Sequence, residues 1–168
     1  MTEILIAGLM IFGMALGAEG QLSPGMEAPD FSLTDQDGVR HTLSAYRGQQ
    51  VVVYFYPKDD TQGCTIEACS IRDDYNLFEK KGIKVIGISY DDMQSHKKFA
   101  EEYDLPFTLL SDTDKAVSEA YGTKGLFMAS RKTFLIDKKG ILQKIYENVT
   151  VTGHGAEILA DFKALEKE

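Results

Sequence analysis

An α/β fold, with a largely parallel central sheet covered by helices on both faces, is what this sequence predicts. Two observations carry that prediction. The first is an alternation of strand-like and helix-period runs: Val-Val-Val-Tyr-Phe-Tyr at 51–56, a helical pattern at 66–81, Ile-Lys-Val-Ile-Gly-Ile-Ser-Tyr at 83–90, a second helical pattern at 95–103 and a short apolar run at 107–110. Strands that alternate with helices pair in parallel through right-handed crossovers. The second observation is a pair of Asp-x-x-Gly turns, at 35–38 and 137–140, each between two short strand-like runs. Each turn folds its flanks into a hairpin, which adds antiparallel strands at the start of the chain and late in it. With 168 residues, 43% of them hydrophobic, the chain is long enough to bury one sizeable core.

Taken in order, residues 1–20 differ in composition from all that follows, because 4–16 is apolar or Gly throughout. That length suits the hydrophobic region of an export signal and is short for a membrane span, and the small residues Ala15, Gly17 and Ala18 offer a cleavage point. Met1-Thr2-Glu3 lacks the usual positive charge, so an extra apolar helix is the alternative. The first reading implies a periplasmic or otherwise exported protein, the second a cytoplasmic one.

The domain proper is expected over 22–168. It opens with the 29–33/39–43 hairpin and a capped turn at 44–48, followed by the 51–56 strand. The next helix, 66–81, carries Ile66, Ile71, Tyr75 and Phe78 at helical spacing and ends at Gly82. After the 83–90 strand, the 95–103 helix and the 107–110 strand, a helix over 114–121 stops at Gly122. Strands at 132–136 and 141–147 flank the second turn, and 155–167 closes the chain as a helix with Ile158, Leu159, Phe162 and Leu165 on one face. This order is the thioredoxin-like arrangement with an N-terminal β-hairpin addition.

The net charge of −8 and the scattered lysines argue against nucleic acid or an anionic membrane as the principal partner, since both need a basic face. Two cysteines are too few for a disulfide scaffold. His41, His96 and His154 have no ligand spacing, and no Gly-rich phosphate loop is present, so neither a metal nor another cofactor is expected.

The chemistry concentrates at 57–69, Pro-Lys-Asp-Asp-Thr-Gln-Gly-Cys-Thr-Ile-Glu-Ala-Cys. A strand that ends at Pro57, then a polar loop and helix formers, puts Cys64 in the first turn of a helix. Unpaired N–H groups and the positive end of the helix dipole favour a thiolate there. Cys69 follows five residues later. On a regular helix the two side chains diverge by about 140° and sit about 7.5 Å apart along the axis. Disulfide geometry requires Cα atoms within about 7 Å, so a Cys64–Cys69 bond requires the turn between them to unwind. The pattern fits a cycle in which Cys64 is oxidised to a sulfenic acid and Cys69 condenses with it. Thr61 lies where its hydroxyl can reach the thiolate or an oxygen beside it, and Pro57 where it can shield the sulfur.

Pro57-x-x-x-Thr61-x-x-Cys64 resembles the active-site motif of the peroxiredoxins, and Cys69 matches the bacterioferritin-comigratory-protein, or Q-type, subgroup. The resemblance extends from Pro24-Gly25-Met26-Glu27-Ala28-Pro29-Asp30-Phe31 through Phe55-Tyr56-Pro57-Lys58-Asp59 to Arg131-Lys132-Thr133-Phe134-Leu135-Ile136-Asp137. It implies a fold of the peroxiredoxin type and a thiol peroxidase acting on hydrogen peroxide and organic hydroperoxides, with a role in oxidative-stress defence. It further implies that Cys64 is the peroxidatic nucleophile, Cys69 the resolving cysteine, Thr61 and Arg131 the groups that orient the peroxide and thiolate, and Pro57 a shield. Glu67 matches the subgroup and is placed to bond Arg131. Electrons would return through thioredoxin or a similar dithiol protein, and the expected state is a monomer with a dimer as the alternative. Gln62 departs from the pattern, which has Pro there. A dithiol exchanger and a non-enzymatic module on the same scaffold are the competing functions; the first would normally use Cys-x-x-Cys, and the second requires only that the scaffold fold.

Overall fold

β3 (Val51–Phe55) is buried along its whole length because it is the central strand of a five-stranded sheet ordered β5-β4-β3-β6-β7. The computed structural model describes residues 21–167, so the apolar segment at 1–20 lies outside the described residues. β4 (Lys84–Ser89) pairs in parallel with β3 and with β5 (Thr108–Ser111), whereas β6 (Lys132–Ile136) and β7 (Leu142–Tyr146) add antiparallel strands on the other side. The sheet is thus evenly mixed rather than largely parallel, because the late hairpin docks directly on the central strand.

Both faces of the sheet are covered, and the period-2 alternation of β3 divides the core. Val52 and Tyr54, with Tyr56 just beyond the strand, face a layer built from α1 (Gln62–Asp73), α2 (Tyr75–Lys80), α3 (Met93–Glu102) and α5 (His154–Leu165). Val51, Val53 and Phe55 face Val117 and Tyr121 at α4 (Ala116–Ala120), together with Phe31 and Leu43 from the N-terminal addition. That addition is the antiparallel pair β1 (Ser32–Thr34) and β2 (Arg40–Thr42), followed by a 3-10 turn at Leu43–Tyr46. The turn has no side-chain cap of its own; Asp30 Oδ1 accepts the Ser44 N–H at 2.9 Å instead.

The single helix expected over 66–81 is two. α1 starts four residues earlier, at Gln62, and ends at Asp73; Asp74 (φ −98°, ψ 3°) breaks the ladder before α2 begins. The first turn of α5 presses on this junction: a Cβ on Gly155 would lie 2.6 Å from the Ser70 carbonyl and 2.8 Å from Asp74 Oδ2. The change of direction leaves both Ile71 and Phe78 fully buried in one core, while Ile66, expected on the buried face, is 39% exposed. Helix ends at Gly82 (φ 66°) and Gly122 (φ 65°) follow the left-handed termination that their positions predict.

Candidate active site

The loop from β3 to α1 leaves the carboxyl end of the central strand, where open α/β sheets gather their reactive groups. Thr61 is the N-cap of α1 in extended conformation (φ −97°, ψ 153°). Its hydroxyl makes no cap bond and instead donates to the Lys58 carbonyl at 2.8 Å. The first helical bond runs from Thr65 N–H to the Thr61 carbonyl, so the N–H groups of Gln62, Gly63 and Cys64 precede the ladder. Cys64 therefore sits within the positive end of the helix, as its sequence context predicts. Its side chain is turned inward, with the residue only 2% exposed.

β6 supplies the counterpart. The antiparallel register places Lys132 opposite Phe55, and so brings Arg131 beside the end of β3. Arg131 Nη2 donates to Cys64 Sγ at 3.3 Å, and Nη1 makes a short ion pair with Glu67 Oε2. Gly63 leaves room for this approach, since a Cβ there would lie 3.2 Å from Nη2. Glu67, one helical turn after Cys64, is fully buried, and burial pushes its carboxyl up to about 7 against the pull of Arg131. Burial also acts on the guanidinium, to lower it, but the Glu67 charge and the Cys64 sulfur outweigh this and hold Arg131 above its ordinary value. Beneath them, burial raises the Tyr54 phenol well above its usual range, reinforced by the charge of Glu67. Glu67 Oε1 and the Tyr54 hydroxyl have no hydrogen-bond partner among the described residues. The site is thus a buried setting in which an oriented cation faces a sulfur.

Arg131 and Cys64 are brought into contact, Thr61 caps the helix that carries Cys64, and Pro57 is half-buried directly after Tyr56. Cys69 is on the same regular helix but elsewhere: it opens into a groove of about 430 Å³ shared with Ile66, Asp73 and Gly153. Both thiols are free. Tyr56, at the end of the run expected to form the strand, and His96, which has no ligand spacing in the sequence, form a buried polar cluster with Asp59 beside the loop. Asp59, Asp91 and His96 bring ligand-type atoms within 4.8 Å of one another, and those atoms engage each other or their neighbours in hydrogen bonds. No spacing rule links residues 59 and 96; only the crossover through β4 does.

Residues 24–145 match the AhpC/TSA family. Among curated relatives, the chloroplastic peroxiredoxin Q of Oryza sativa subsp. japonica is 51% identical over 132 residues, 77% of this chain and 61% of the relative. The chain thus spans about three fifths of the length of the plant relatives it matches. A bacterial relative from Coxiella burnetii, described as a putative peroxiredoxin bcp, is 43% identical over 146 residues, 80% of this chain and 95% of that protein. Among solved structures, a mutant peroxiredoxin Q from Xylella fastidiosa superposes with a TM-score of 0.83 at 29% identity, covering 88% of this chain and 99% of that one. Xanthomonas campestris bacterioferritin comigratory protein, in a structure concerned with alkyl peroxide reduction, gives a TM-score of 0.79 at 33% identity over 84% of this chain and 98% of that one.

Proposed function

This chain belongs to the AhpC/TSA family, on its peroxiredoxin Q branch, and from that premise we propose that it is a thiol peroxidase acting on hydrogen peroxide and organic hydroperoxides. The observation that carries the reading is the reach of Arg131 to the Cys64 sulfur at 3.3 Å within the first turn of α1. Attack by the Cys64 thiolate on one peroxide oxygen forms an S–O bond and breaks the O–O bond. The departing alkoxide or hydroxide takes up the proton of the attacked oxygen and is released as an alcohol or water, leaving Cys64 as a sulfenate that one proton from solvent converts to the sulfenic acid. Negative charge moves from sulfur to the leaving oxygen during this step, and a guanidinium with several fixed donors, beside helix N–H groups, stabilises both ends of that movement. Thr61 orients the peroxide and Pro57 limits water at the sulfur.

Resolution follows by condensation of the sulfenic acid with the Cys69 thiol, giving a Cys64–Cys69 disulfide and one water. The regular α1 holds the two sulfurs on divergent faces, so the first turns of α1 unwind to allow it. A thioredoxin-type dithiol then takes over the disulfide by exchange and restores both thiols. A monomer suffices for this cycle, since both cysteines lie on one helix.

The test is peroxide consumption by the purified protein with thioredoxin and its reductase. Turnover disappears in Cys64→Ser, and in Cys69→Ser a sulfenate persists that a dimedone adduct reveals by mass. Undiminished turnover in Cys64→Ser overturns the assignment of the nucleophile.

A further inference from the structure

We propose that Asp91 is a positioning residue for the peroxide reaction, acting through the Lys58–Asp59 peptide to make the Thr61 hydroxyl an acceptor toward substrate. The proposal rests on the roles given above to Cys64 and Thr61. Lys58 C=O and Asp59 N–H belong to one planar unit, and in a trans peptide the two groups point in opposite directions. The N–H end of this plane donates to Asp91 Oδ2 at 2.9 Å. The carbonyl end accepts the Thr61 hydroxyl at 2.8 Å. A hydroxyl has one proton; once that proton is committed to Lys58, the Thr61 oxygen offers only lone pairs to any further partner. It is then matched to the O–H of a hydroperoxide and mismatched to a second acceptor.

The peptide plane cannot turn freely, because the same residue is held from three sides. Asp59 Oδ1 accepts the Tyr56 hydroxyl at 2.6 Å, and Oδ2 accepts Ser95 Oγ and faces His96 Nδ1, each at 2.8 Å. His96 Nε2 lies 3.1 Å from the Leu110 carbonyl, which can only accept, so this nitrogen carries a proton. Asp91 is itself fixed, its Oδ2 accepting Ser89 Oγ at 2.6 Å. The next residue, Asp60, has φ +55°, a left-handed conformation that persists in a non-glycine residue where its surroundings enforce it. Tyr103 does so from the end of α3, donating to Asp60 Oδ1 at 2.9 Å. The loop that presents Thr61 is thus clamped to β4 and α3, outside the 64–69 segment that unwinds.

The experiment compares two reactions of Cys64 in single turnover: oxidation by hydrogen peroxide, which needs the Thr61 acceptor, and alkylation by iodoacetamide, which does not. Asp91→Ala is expected to slow oxidation about five- to tenfold and to change alkylation less than about twofold, the size of one lost hydrogen bond. Asp91→Asn, which keeps an acceptor oxygen, restores most of the rate. In a Thr61→Val background Asp91→Ala costs less than about twofold more, because the group it acts through is gone. Tyr56→Phe, which removes one donor from Asp59 without changing the shape of the core, serves as the milder variant and follows the same selectivity with a smaller loss. Additive losses in the double variant, or equal losses for peroxide and iodoacetamide, overturn the proposal. An unchanged peroxide rate in Thr61→Val overturns it too while leaving the peroxidase reading intact, whereas absence of turnover in the wild type overturns that reading itself.

Discussion

Arg131 donates from Nη2 to the sulfur of Cys64 at 3.3 Å across 67 residues of sequence, and the antiparallel pairing of β6 with β3 makes the contact. Its other arm is engaged by Glu67, so the guanidinium is oriented before any substrate arrives. Arg131→Met is expected to lower the second-order rate of Cys64 with peroxide by about 10² to 10³, the usual effect of removing one fixed donor to developing charge. Arg131→Lys recovers little of this, because an ammonium cannot serve two divergent acceptors with a planar fork. Stopped-flow single-turnover oxidation measures both.

Glu67 adds a pH dependence to stability. Its carboxyl rises from the ordinary 4.5 to about 7 in the folded chain, so between those values the folded state holds a proton that the unfolded state has lost. The stabilisation is full below about 4.5 and disappears as the pH climbs through about 7, a span worth roughly 3 kcal/mol. His154, lowered by its burial, slopes the other way, gaining stability as pH rises toward 6.5. Glu67→Gln removes only the first contribution. The difference between wild type and this variant in urea unfolding at pH 5 and pH 8 isolates it, and a difference that does not change with pH contradicts the prediction.

Gln62 occupies the first helical position of α1 and is exposed. Proline suits that position, with its φ already helical and no N–H required there. Gln62→Pro is expected to stabilise the folded turn by about 0.4–1 kcal/mol and slow disulfide formation about two- to fivefold. Sulfinic acid at high peroxide increases in proportion, because the sulfenate waits longer. Acid-quenched mass spectrometry of the oxidised forms checks both.

Gly87 of β4 is paired with Tyr54 of β3. A Cβ there would approach Tyr54 Oη and Cζ to 2.8 Å and Leu109 Cδ2 to 2.9 Å, all within a buried sheet. Gly87→Ala should destabilise the domain by about 1–3 kcal/mol through overpacking. It should also slow oxidation of Cys64, since the displaced tyrosine packs beneath that residue. A chemical denaturation midpoint equal to that of wild type would refute this.

The elements were legible in sequence wherever local pattern decides. The β-branched run at 51–56, the Asp-x-x-Gly turns and the glycines after helices each act within a few residues, and the structure follows them. The positions of Thr61 and Cys64 at the start of α1 were readable for the same reason. Two features escaped because they depend on contacts across the fold. The break at Asp74 lies where Gly155 of α5 packs closely on α1, a tertiary contact that helical periodicity cannot register. The clamp on Asp59 joins a loop to α3 and β4 through side chains whose types are ordinary in a core. Arg131 was reachable only through the family resemblance, since a lone arginine before a strand has no local signature of a site.

The break at Asp74 also sets how far a local opening can spread. Leu77 and Phe78 N–H groups bond to the Asp74 carbonyl and begin a new ladder, so α2 does not depend on the hydrogen bonds of α1. Fraying that starts at Gln62 therefore runs out of track at Asp74, and Phe78 stays seated as a plug in the core. In amide exchange this would separate two neighbouring populations: amides of 64–73 that exchange through small openings, and amides of 77–82 that wait for the whole domain to unfold. The protein can risk its most reactive helix without risking its interior.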